Sequence, residues 1–189
     1  VAAIQMASGP NVKANLEEAE KLIKAAVQQQ AELIVLPENF AIMGMTETDK
    51  VSIAEPMGTG PLQDYLSEQS RRHGIWLVGG TIPIKSEQAG KVSAASLLYN
   101  DKGESVARYD KIHLFDVTIE GSNESYNESE TIASGDEVVV IEENCLCTTP
   151  ERVRRADLQN RAVPDQNTRV RPRPIARTVP ELPPQNHEI

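Results

Sequence analysis

The chain has 189 residues, of which 39% are hydrophobic, and a formal net charge of −9 at pH 7. This length suffices for one domain with a hydrophobic core, and no stretch approaches the roughly 20 apolar residues that a membrane-spanning helix needs. Because the chain opens on VAAIQM with no basic segment ahead of an apolar one, we expect a soluble, cytoplasmic protein without membrane contact.

Composition divides the chain into two segments. Through Cys147 there are 11 basic and 23 acidic residues, whereas from Thr148 onward there are 8 basic and 5 acidic residues and seven of the twelve prolines. The second segment has little apolar periodicity, which is typical of disordered or polyproline-like chain, and no aromatic residues that could stack on nucleic-acid bases. We therefore expect a folded domain over 1–147, an Arg/Pro-rich disordered tail over 148–189, and no nucleic-acid partner.

The first elements follow a strand–helix–strand pattern. The apolar run at 1–6 predicts a strand, and Asn15 with Glu18 three residues later resembles a helix N-cap with its capping box. The helix that follows has apolar residues at three- and four-residue spacing, so one of its faces should be buried. A second strand at 32–37 completes a βαβ unit, in which the two strands should be parallel.

The later elements predict a mixed sheet. Gly60-Pro61 is typical of a helix start, and His73-Gly74 is typical of a helix end. The turn signature Asp101-Lys102-Gly103 lies between two apolar segments, which predicts an antiparallel hairpin, and a polar loop is expected over 118–135. Further strands are predicted at 75–84, 93–100, 104–111 and 137–141. Helices on one face of such a sheet require a second layer on the other face.

One short stretch raises a chemical question. In LIVLPENF, residues 33–40, four aliphatic residues lead directly to a proline and then to Glu38. A run this apolar should be a buried strand, and a carboxylate at its end loses hydration that costs several kcal/mol unless partners replace it. Glu38 therefore needs a positively charged or hydrogen-bonding neighbour.

Three motifs together resemble the nitrilase, or carbon-nitrogen hydrolase, family. They are LPENF after a strand, RYDKIHLFDV at 108–117 and ESYNESETIASGDEVVVI at 124–141. Within the family the motifs are most similar to the amidases that act on deaminated glutathione and, next, to the omega-amidases. The resemblance covers residues 1 to about 141. It implies an αββα sandwich, here its N-terminal half, that forms homo-oligomers through outer helices, acts on small amides and needs no metal or organic cofactor.

The resemblance also implies roles for three side chains. Glu38 corresponds to the general base, Lys111 to the donor that stabilises the tetrahedral intermediate, and Glu128 to a second glutamate beside them. These residue types suit the reaction, since attack on an amide needs a base for the thiol proton and a cation beside the developing oxyanion. From the sequence pattern alone, Glu38 would be interpreted as a solvated residue at the end of a strand and Lys111 as an exposed strand lysine. Glu128 would be interpreted as one of several solvated loop carboxylates.

The nucleophile is the point at which the sequence departs from the family. There, a cysteine in a CYDxRFPE-like motif follows about a dozen residues after the segment that matches EVVVI. In this chain Cys145 and Cys147 come four and six residues after Ile141, and neither is followed by Tyr-Asp. We take Cys147 as the candidate nucleophile and Cys145 as its alternative. A free or buried thiol without a catalytic role is the competing interpretation.

Two cysteines one residue apart and three scattered histidines match neither a disulfide framework nor a zinc site, so no metal is expected. Two functional classes follow from the whole sequence. The first is an amidase that cleaves small linear amides through a thioester, with impaired activity. The second is a catalytically inactive fragment that acts at most as an association partner of a complete homologue.

Overall fold

The computed structural model describes residues 1–118 and 125–141, so that Cys145, Cys147 and the predicted tail over 148–189 lie outside the described residues. The helices are α1 (Val12–Gln28), α2 (Thr48–Ser52) and α3 (Pro61–His73). The strands are β1 (Ala2–Ala3), β2 (Leu33–Val35), β3 (Trp76–Val78), β4 (Ile82–Lys85), β5 (Val92–Tyr99), β6 (Ser105–Asp110), β7 (Asp116–Thr118) and β8 (Ser125–Asn127).

The larger sheet is mixed, as predicted. Strand β1 pairs in parallel with β2, and β2 pairs in parallel with β3, which confirms the βαβ unit around α1. Strand β5 is antiparallel to β3, β4 and β6. Because β6 occupies one edge of β5, β3 and β4 lie one after the other along its opposite edge. The predicted hairpin between β5 and β6 is confirmed, with Gly103 in the left-handed region at φ 82°.

One layer of helices packs on this sheet. The core combines fully buried residues of α1 and α3 with residues of the central strands: Ala19, Ile23, Leu62, Leu66, Ile34, Leu77 and Leu97. The two helices also contact each other, since the Tyr65 hydroxyl donates to the Leu16 carbonyl at 3.0 Å. None of the helices in the described ranges is long and apolar enough to cross a membrane.

Helix α1 begins four residues earlier than predicted. Its N-cap is Asn11, whose Oδ1 accepts from the Ala14 N–H at 3.1 Å, and not Asn15. Asn15 is buried, and its Nδ2 donates to the carbonyls of Gly9 at 2.8 Å and Ala41 at 2.9 Å. The predicted cap is wrong because Asn15 satisfies loop carbonyls beside the helix, while Asn11 satisfies the free N–H groups of its first turn.

The strand predicted at 75–84 is interrupted. Val78 lies opposite Leu98 and Ile82 lies opposite Ala95, so the β3–β4 segment has one residue more than β5 between these two pairs. Such an extra residue is a β-bulge. At the bulge Gly80 has φ 56°, and a Cβ there would lie 2.1 Å from the carbonyl oxygen of Pro37. The close approach of the two backbones therefore requires glycine at this position.

Two further predictions need correction. Within the loop expected over 118–135, residues 125–130 form regular structure, because β8 pairs with β7 and a 3₁₀ turn follows at Glu128–Glu130. The strand expected at 137–141 is absent, and Val138 and Val140 are 80% and 67% exposed. The physical reason is that no described strand pairs with this segment, so Val138 and Val140 have no neighbouring surface against which to be buried.

Candidate active site

Glu38 lies where β2 ends beside the β-bulge. The next residue, Asn39, has a positive φ of 55° and donates its backbone N–H to Thr81 Oγ1 at 2.9 Å. The following residue, Phe40, is fully buried. The backbone on the C-terminal side of Glu38 is therefore fixed by the bulge and the core. The Glu38 side chain itself is 52% exposed, so the expectation that it is buried is wrong for the described part of the chain.

Lys111 follows β6 and reaches Glu38 across the end of the sheet. Its backbone N–H donates to the Ala94 carbonyl at 3.0 Å, and its carbonyl accepts from the Gly135 N–H at 2.9 Å. The Lys111 Nζ lies 2.9 Å from Glu38 Oε1. With a side chain only 22% exposed, Lys111 is not the exposed strand lysine that its sequence context alone would indicate.

Glu128 is the second carboxylate that contacts the lysine. Its Oε2 lies 2.8 Å from Lys111 Nζ and accepts the Phe115 backbone N–H at 2.8 Å. The 3₁₀ turn holds its backbone, since Glu128 donates to the Phe115 carbonyl and accepts from Ile132. At 13% exposure Glu128 is not a merely solvated loop glutamate. The structure thus brings together all three residues that the resemblance assigned to one site.

Electrostatics favour the charged forms of Lys111 and Glu128. Burial opposes the charge on Lys111, but hydrogen bonds to Glu128 and Glu38 outweigh it and raise the pKa of the ammonium above its ordinary value. Burial likewise opposes the charge on Glu128, yet the hydrogen bonds from Lys111 and Phe115, with the nearby charges of Lys111 and Lys50, lower the pKa of this carboxyl. The result is an ammonium shared by two carboxylates.

This arrangement supplies two of the groups that amide hydrolysis needs. The half-exposed Glu38 can accept a proton, and Lys111 can stabilise negative charge on a carbonyl oxygen. A nucleophile is not among the residues of the cluster, because the candidate thiols of Cys147 and Cys145 lie outside the described residues. Over 1–118 and 125–141, no three His, Cys, Asp or Glu side chains are grouped so as to hold a metal ion.

Sequence reasoning missed Lys50, which lies on the short helix α2. Its side chain lines the same small cavity as Glu38, and its charge contributes to the lowered pKa of Glu128. The helix was not predicted, although Thr46 and Asp49 have the spacing of a capping box. Asp49 Oδ2 accepts the Met45 and Thr46 N–H groups at 2.7 and 3.0 Å. The spacing of Thr46 and Asp49 could have predicted the helix. No sequence signal, however, could have placed Lys50 at the cavity beside Glu38.

Comparison with known families gives the class of the protein. Residues 1–149 match the carbon-nitrogen hydrolase family. This chain belongs to the carbon-nitrogen hydrolase family, as its three motifs indicated.

Among curated proteins the chain is similar to amidases. It is 42% identical over 135 residues to a deaminated glutathione amidase of Synechocystis sp., a match that covers 71% of this chain and 48% of the relative. It is 37% identical to a deaminated glutathione amidase of Yersinia enterocolitica, over 75% of this chain and 49% of the relative. An omega-amidase of Saccharomyces cerevisiae is 33% identical over 75% of this chain and 50% of the relative. The chain therefore spans about half the length of these relatives.

Solved structures support the same assignment. The NitFhit protein of C. elegans superposes with a TM-score of 0.63 at 29% identity, covering 72% of this chain and 33% of that one. A nitrilase-superfamily member from Saccharomyces cerevisiae gives a TM-score of 0.60 at 28% identity, covering 72% of this chain and 48% of that one. The mixed sheet with its helical layer is thus the N-terminal half of the αββα sandwich, and the predicted fold class is confirmed.

Proposed function

We propose that this chain is an amidase of the carbon-nitrogen hydrolase family that converts small linear amides into the acid and ammonia. The observation that supports this most directly is the Lys111 ammonium, which lies within 2.9 Å of a carboxylate oxygen of both Glu38 and Glu128. One cation held between two carboxylates at the end of a sheet can stabilise an oxyanion while a carboxylate beside it moves protons.

In the proposed reaction Glu38 is the general base and a cysteine thiol is the nucleophile. Glu38 takes the thiol proton as sulfur bonds to the amide carbon, and Lys111 stabilises the resulting oxyanion. The C–N bond breaks as Glu38 returns the proton to the leaving nitrogen, so ammonia departs and a thioester forms. Water then gives a proton to Glu38 and attacks the thioester, and the released thiol regains that proton. The sum is amide plus water to acid plus ammonia.

The thiol of the proposed reaction has an atypical sequence context. We assign the nucleophile to Cys147, with Cys145 as its alternative, and expect slow turnover because neither cysteine has the sequence context of the family. Loss of a covalent nucleophile in a well-studied hydrolase lowered turnover by roughly a millionfold. Activity of this chain should therefore lie far below that of a family member with the complete motif.

A second function is favoured by a different observation. Val138 and Val140 are largely exposed, and Ile141 is 38% exposed, in a segment that pairs with no strand of the described residues. Exposed apolar runs of this kind mark sites of association. If the thiols do not act, we propose that the chain associates with another copy or with a complete homologue and has no catalytic activity.

The experiment is a measurement of ammonia release from short dicarboxylate monoamides and from deaminated glutathione, the substrate named for the Synechocystis relative. Wild type is compared with Glu38→Gln, Lys111→Met, Cys145→Ala and Cys147→Ala. Lys13→Met serves as the control, because Lys13 is 86% exposed and its carboxylate partner, Glu17, lies on the same helix.

The outcomes separate the two functions. Turnover that falls at least a hundredfold in Glu38→Gln and Lys111→Met, and disappears in one cysteine variant, supports the amidase and identifies its nucleophile. Turnover that is unaffected by both cysteine substitutions contradicts thioester chemistry. No turnover with any of these amides leaves the association function as the better account.

We also propose that the domain ends near residue 147 and that residues 148–189 form the Arg/Pro-rich tail expected from composition. Limited proteolysis checks this boundary. Trypsin should cut first at the arginines between Arg152 and Arg177, and the product that persists should end before them. Persistence of the full-length chain under conditions that cleave exposed peptides contradicts the boundary.

A further inference from the structure

A small cavity separates Lys50, on α2, from Glu38 at the end of the sheet. Both residues line it, and its volume is about 10 Å³, roughly enough for a single water molecule. The cavity therefore has no room for a substrate group. Lys50 and Glu38 instead interact with each other across a water-sized space.

The other walls of this cavity are mostly apolar. Beside Asn39 and Thr81, its lining residues are Ile42, Ile82, Pro83, Val92, Ala94 and Ile132. Apolar surroundings screen charges less than water does, so charges interact more strongly across them. The side chain of Lys50 is itself only 13% exposed. Its charge therefore acts on the site with little screening by solvent.

Glu128 is attached to another wall of the same cavity. Ile132, which lines the cavity, donates its N–H to the Glu128 carbonyl at 2.8 Å. Burial raises the pKa of Glu128, whereas hydrogen bonds from Lys111 and Phe115 and the charges of Lys111 and Lys50 lower it. Lys50 is therefore placed to act on both carboxylates of the site.

The charges of the site do not balance without Lys50. Glu38, Lys111 and Glu128, here called the charged cluster, hold two carboxylates and one ammonium. Lys111 thus balances only one of the two negative charges. Two carboxylates beside one cation repel each other, and this repulsion favours protonation of one of them. A second cation is needed if both are to stay charged as the pH falls.

Lys50 is only loosely paired with its neighbour Glu47. Its Nζ lies 3.6 Å from Glu47 Oε2, beyond the usual hydrogen-bond range, and the Glu47 side chain is 42% exposed. Solvent exposure of Glu47 weakens this attraction. Glu47 is also not among the charges that act on the pKa of Glu128. Much of the positive charge of Lys50 therefore remains effective at the charged cluster.

The other carboxylates near α2 are used in its own structure. Asp49 Oδ2 accepts the Thr46 N–H at 3.0 Å, and Ser52 Oγ donates to the Asp49 carbonyl at 2.7 Å. Glu55 accepts the N–H of Leu62 at the start of α3. These contacts hold the short helix in place, so that Lys50 presents its charge from a fixed position.

The remaining charged groups around Glu128 have other partners or are exposed. Asp116 Oδ1 accepts the Ser129 N–H at 3.0 Å, and Lys91 Nζ donates to the Ser129 carbonyl at 2.6 Å. Glu130 is exposed to solvent. Within the described residues, the cation whose charge adds to that of Lys111 at Glu128 is therefore Lys50.

We propose that Lys50 is a positioning residue, the second cation of the charged cluster, which keeps Glu38 and Glu128 in the carboxylate form. The catalytic consequence of this inference rests on the proposed amidase function. A charged Glu38 can accept the thiol proton, and a charged Glu128 holds Lys111 in place for the amide carbonyl. Without Lys50 the cluster takes up a proton at higher pH, and then loses either its base or one anchor of its ammonium.

Carboxyl carbon NMR measures the charge of Glu128 directly and needs no turnover. Wild type and Lys50→Met are labelled with ¹³C at the glutamate Cδ and titrated with acid, and the Glu128 signal is assigned from its absence in Glu128→Gln. The midpoint of Glu128 should lie at higher pH in Lys50→Met, because this variant lacks a positive charge that favours the carboxylate. Lys50→Arg, which keeps the charge, should titrate like wild type. Equal midpoints for Lys50→Met and wild type would overturn the proposal.

Two further variants separate the charge of Lys50 from mechanical support of α2. Glu47→Gln removes the ion pair of Lys50 but not its positive charge, so the midpoint of Glu128 should not rise. Lys13→Met removes an 86% exposed lysine on α1 and should leave the midpoint at the wild-type value. A rise in Glu47→Gln or Lys50→Arg as large as that in Lys50→Met would show that Lys50 only supports the helix, and would overturn the proposal.

The pH profile of turnover tests the catalytic consequence. Butyramide serves as the substrate because it has no group that titrates in mild acid, so the acidic limb of kcat/KM reports groups of the free enzyme. That limb should move to higher pH in Lys50→Met and stay in place in Lys50→Arg. A limb at the same pH in Lys50→Met and wild type would overturn the positioning role. Absence of turnover in wild type would count against the amidase function, whereas the NMR titration would still decide whether Lys50 is the second cation of the cluster.

Discussion

Two runs of four residues, LIVL at 33–36 and VVVI at 138–141, are both entirely aliphatic but differ in their surroundings. In the first, Ile34 and Leu36 are 0% and 2% exposed, and β2 is paired on both sides, with β1 and with β3. In the second, Val138 and Val140 are 80% and 67% exposed. Apolar character alone therefore does not determine whether a segment becomes a strand.

The difference lies in the backbone partners. The backbone of β2 forms hydrogen bonds with both β1 and β3. The strand also lies beneath α1 and α3, so its side chains are buried when the sheet forms. The segment after Gly135 begins at a hydrogen bond to the Lys111 carbonyl, but no described strand continues the pairing. A buried strand needs both a paired edge and a covering layer, and the described part of the chain supplies these only for the first run.

The largest expected effect compares the same substitution in the two runs. Ile34→Ala should lower the free energy of unfolding by about 2 to 5 kcal/mol, because it leaves a cavity in a fully buried core. Ile141→Ala, at a position 38% exposed, should cost less than about 1 kcal/mol. Urea unfolding followed by far-UV circular dichroism measures both. Equal losses would show that the second run is buried in solution, which would invalidate the contrast between the two runs.

The next prediction concerns the backbone contact between Gly80 and Pro37, which lies between the first run and Glu38. Gly80→Ala should lower the free energy of unfolding by at least about 3 kcal/mol. The alanine would have to adopt a left-handed backbone conformation, and its Cβ would lie 2.1 Å from the Pro37 carbonyl oxygen. Gly90 also has a positive φ, of 79°, but a Cβ there meets nothing within 4 Å. Gly90→Ala is thus the matched control, which carries the backbone cost without the clash. The difference between the urea unfolding midpoints of Gly80→Ala and Gly90→Ala measures the cost of the contact with Pro37. Identical midpoints for the two variants would contradict that contact.

A smaller effect should appear in the pH dependence of stability. The lowered pKa of Glu128 means that its stabilising contribution is present above the ordinary value of 4.5 and is lost as pH falls through the depressed folded value. The raised pKa of Lys111 means that its contribution is present below 10.5 and is lost as pH rises through the folded value above it. The ion pair of Lys111 and Glu128 should therefore stabilise the protein by a constant amount between these limits.

Glu128→Gln tests the acidic limit. It should reduce the free energy of unfolding at neutral pH by about 1 to 2 kcal/mol and flatten the decline below pH 4.5. Glu17→Gln, which removes an exposed carboxylate 3.9 Å from Lys13, should change the profile little. The measurement is thermal or urea unfolding at a series of pH values. A Glu128→Gln profile parallel to that of wild type would contradict the role of the ion pair.

Much of the fold follows from local signals in the sequence. Helix α3 was predicted from Gly60-Pro61 at its start and Gly74 at its end, and the β5–β6 hairpin from its turn residues. These features are set by the conformational preferences of a few neighbouring residues. The proximity of Glu38, Lys111 and Glu128 was anticipated from the family motifs, since no local rule relates residues 73 positions apart in the chain.

The errors have a common physical cause, which is dependence on distant partners. Asn11 and Asn15 are equally good caps by type, and the choice is decided by the carbonyls of Gly9 and Ala41 that surround Asn15. The bulge at Gly80 depends on the approach of Pro37 from another strand. The cavity position of Lys50 depends on the fold of the loop that carries it. Sequence patterns do not encode these surroundings locally.

The smallest expected effect on stability belongs to the second run. Exposure there alternates, since Val138 and Val140 are 80% and 67% exposed whereas Val139 and Ile141 are 39% and 38% exposed. Lysines at positions 138 and 140 would therefore point to solvent, and the double substitution Val138→Lys/Val140→Lys should change the free energy of unfolding by no more than about 0.5 kcal/mol. The same change places two charges on an exposed apolar segment, and such charges oppose association through it.

Sedimentation velocity over a range of concentrations then measures the property that should change. Wild type should self-associate increasingly with concentration, and the double variant should do so at least several-fold less, while the two unfold at the same urea concentration. A matched pair of lysines at exposed, uncharged positions of α1, Ala25 and Gln28, adds the same charge and should leave association as in wild type. If the Val138→Lys/Val140→Lys protein associates like wild type, the exposed run is not the associating surface, and the proposed association function loses its structural basis.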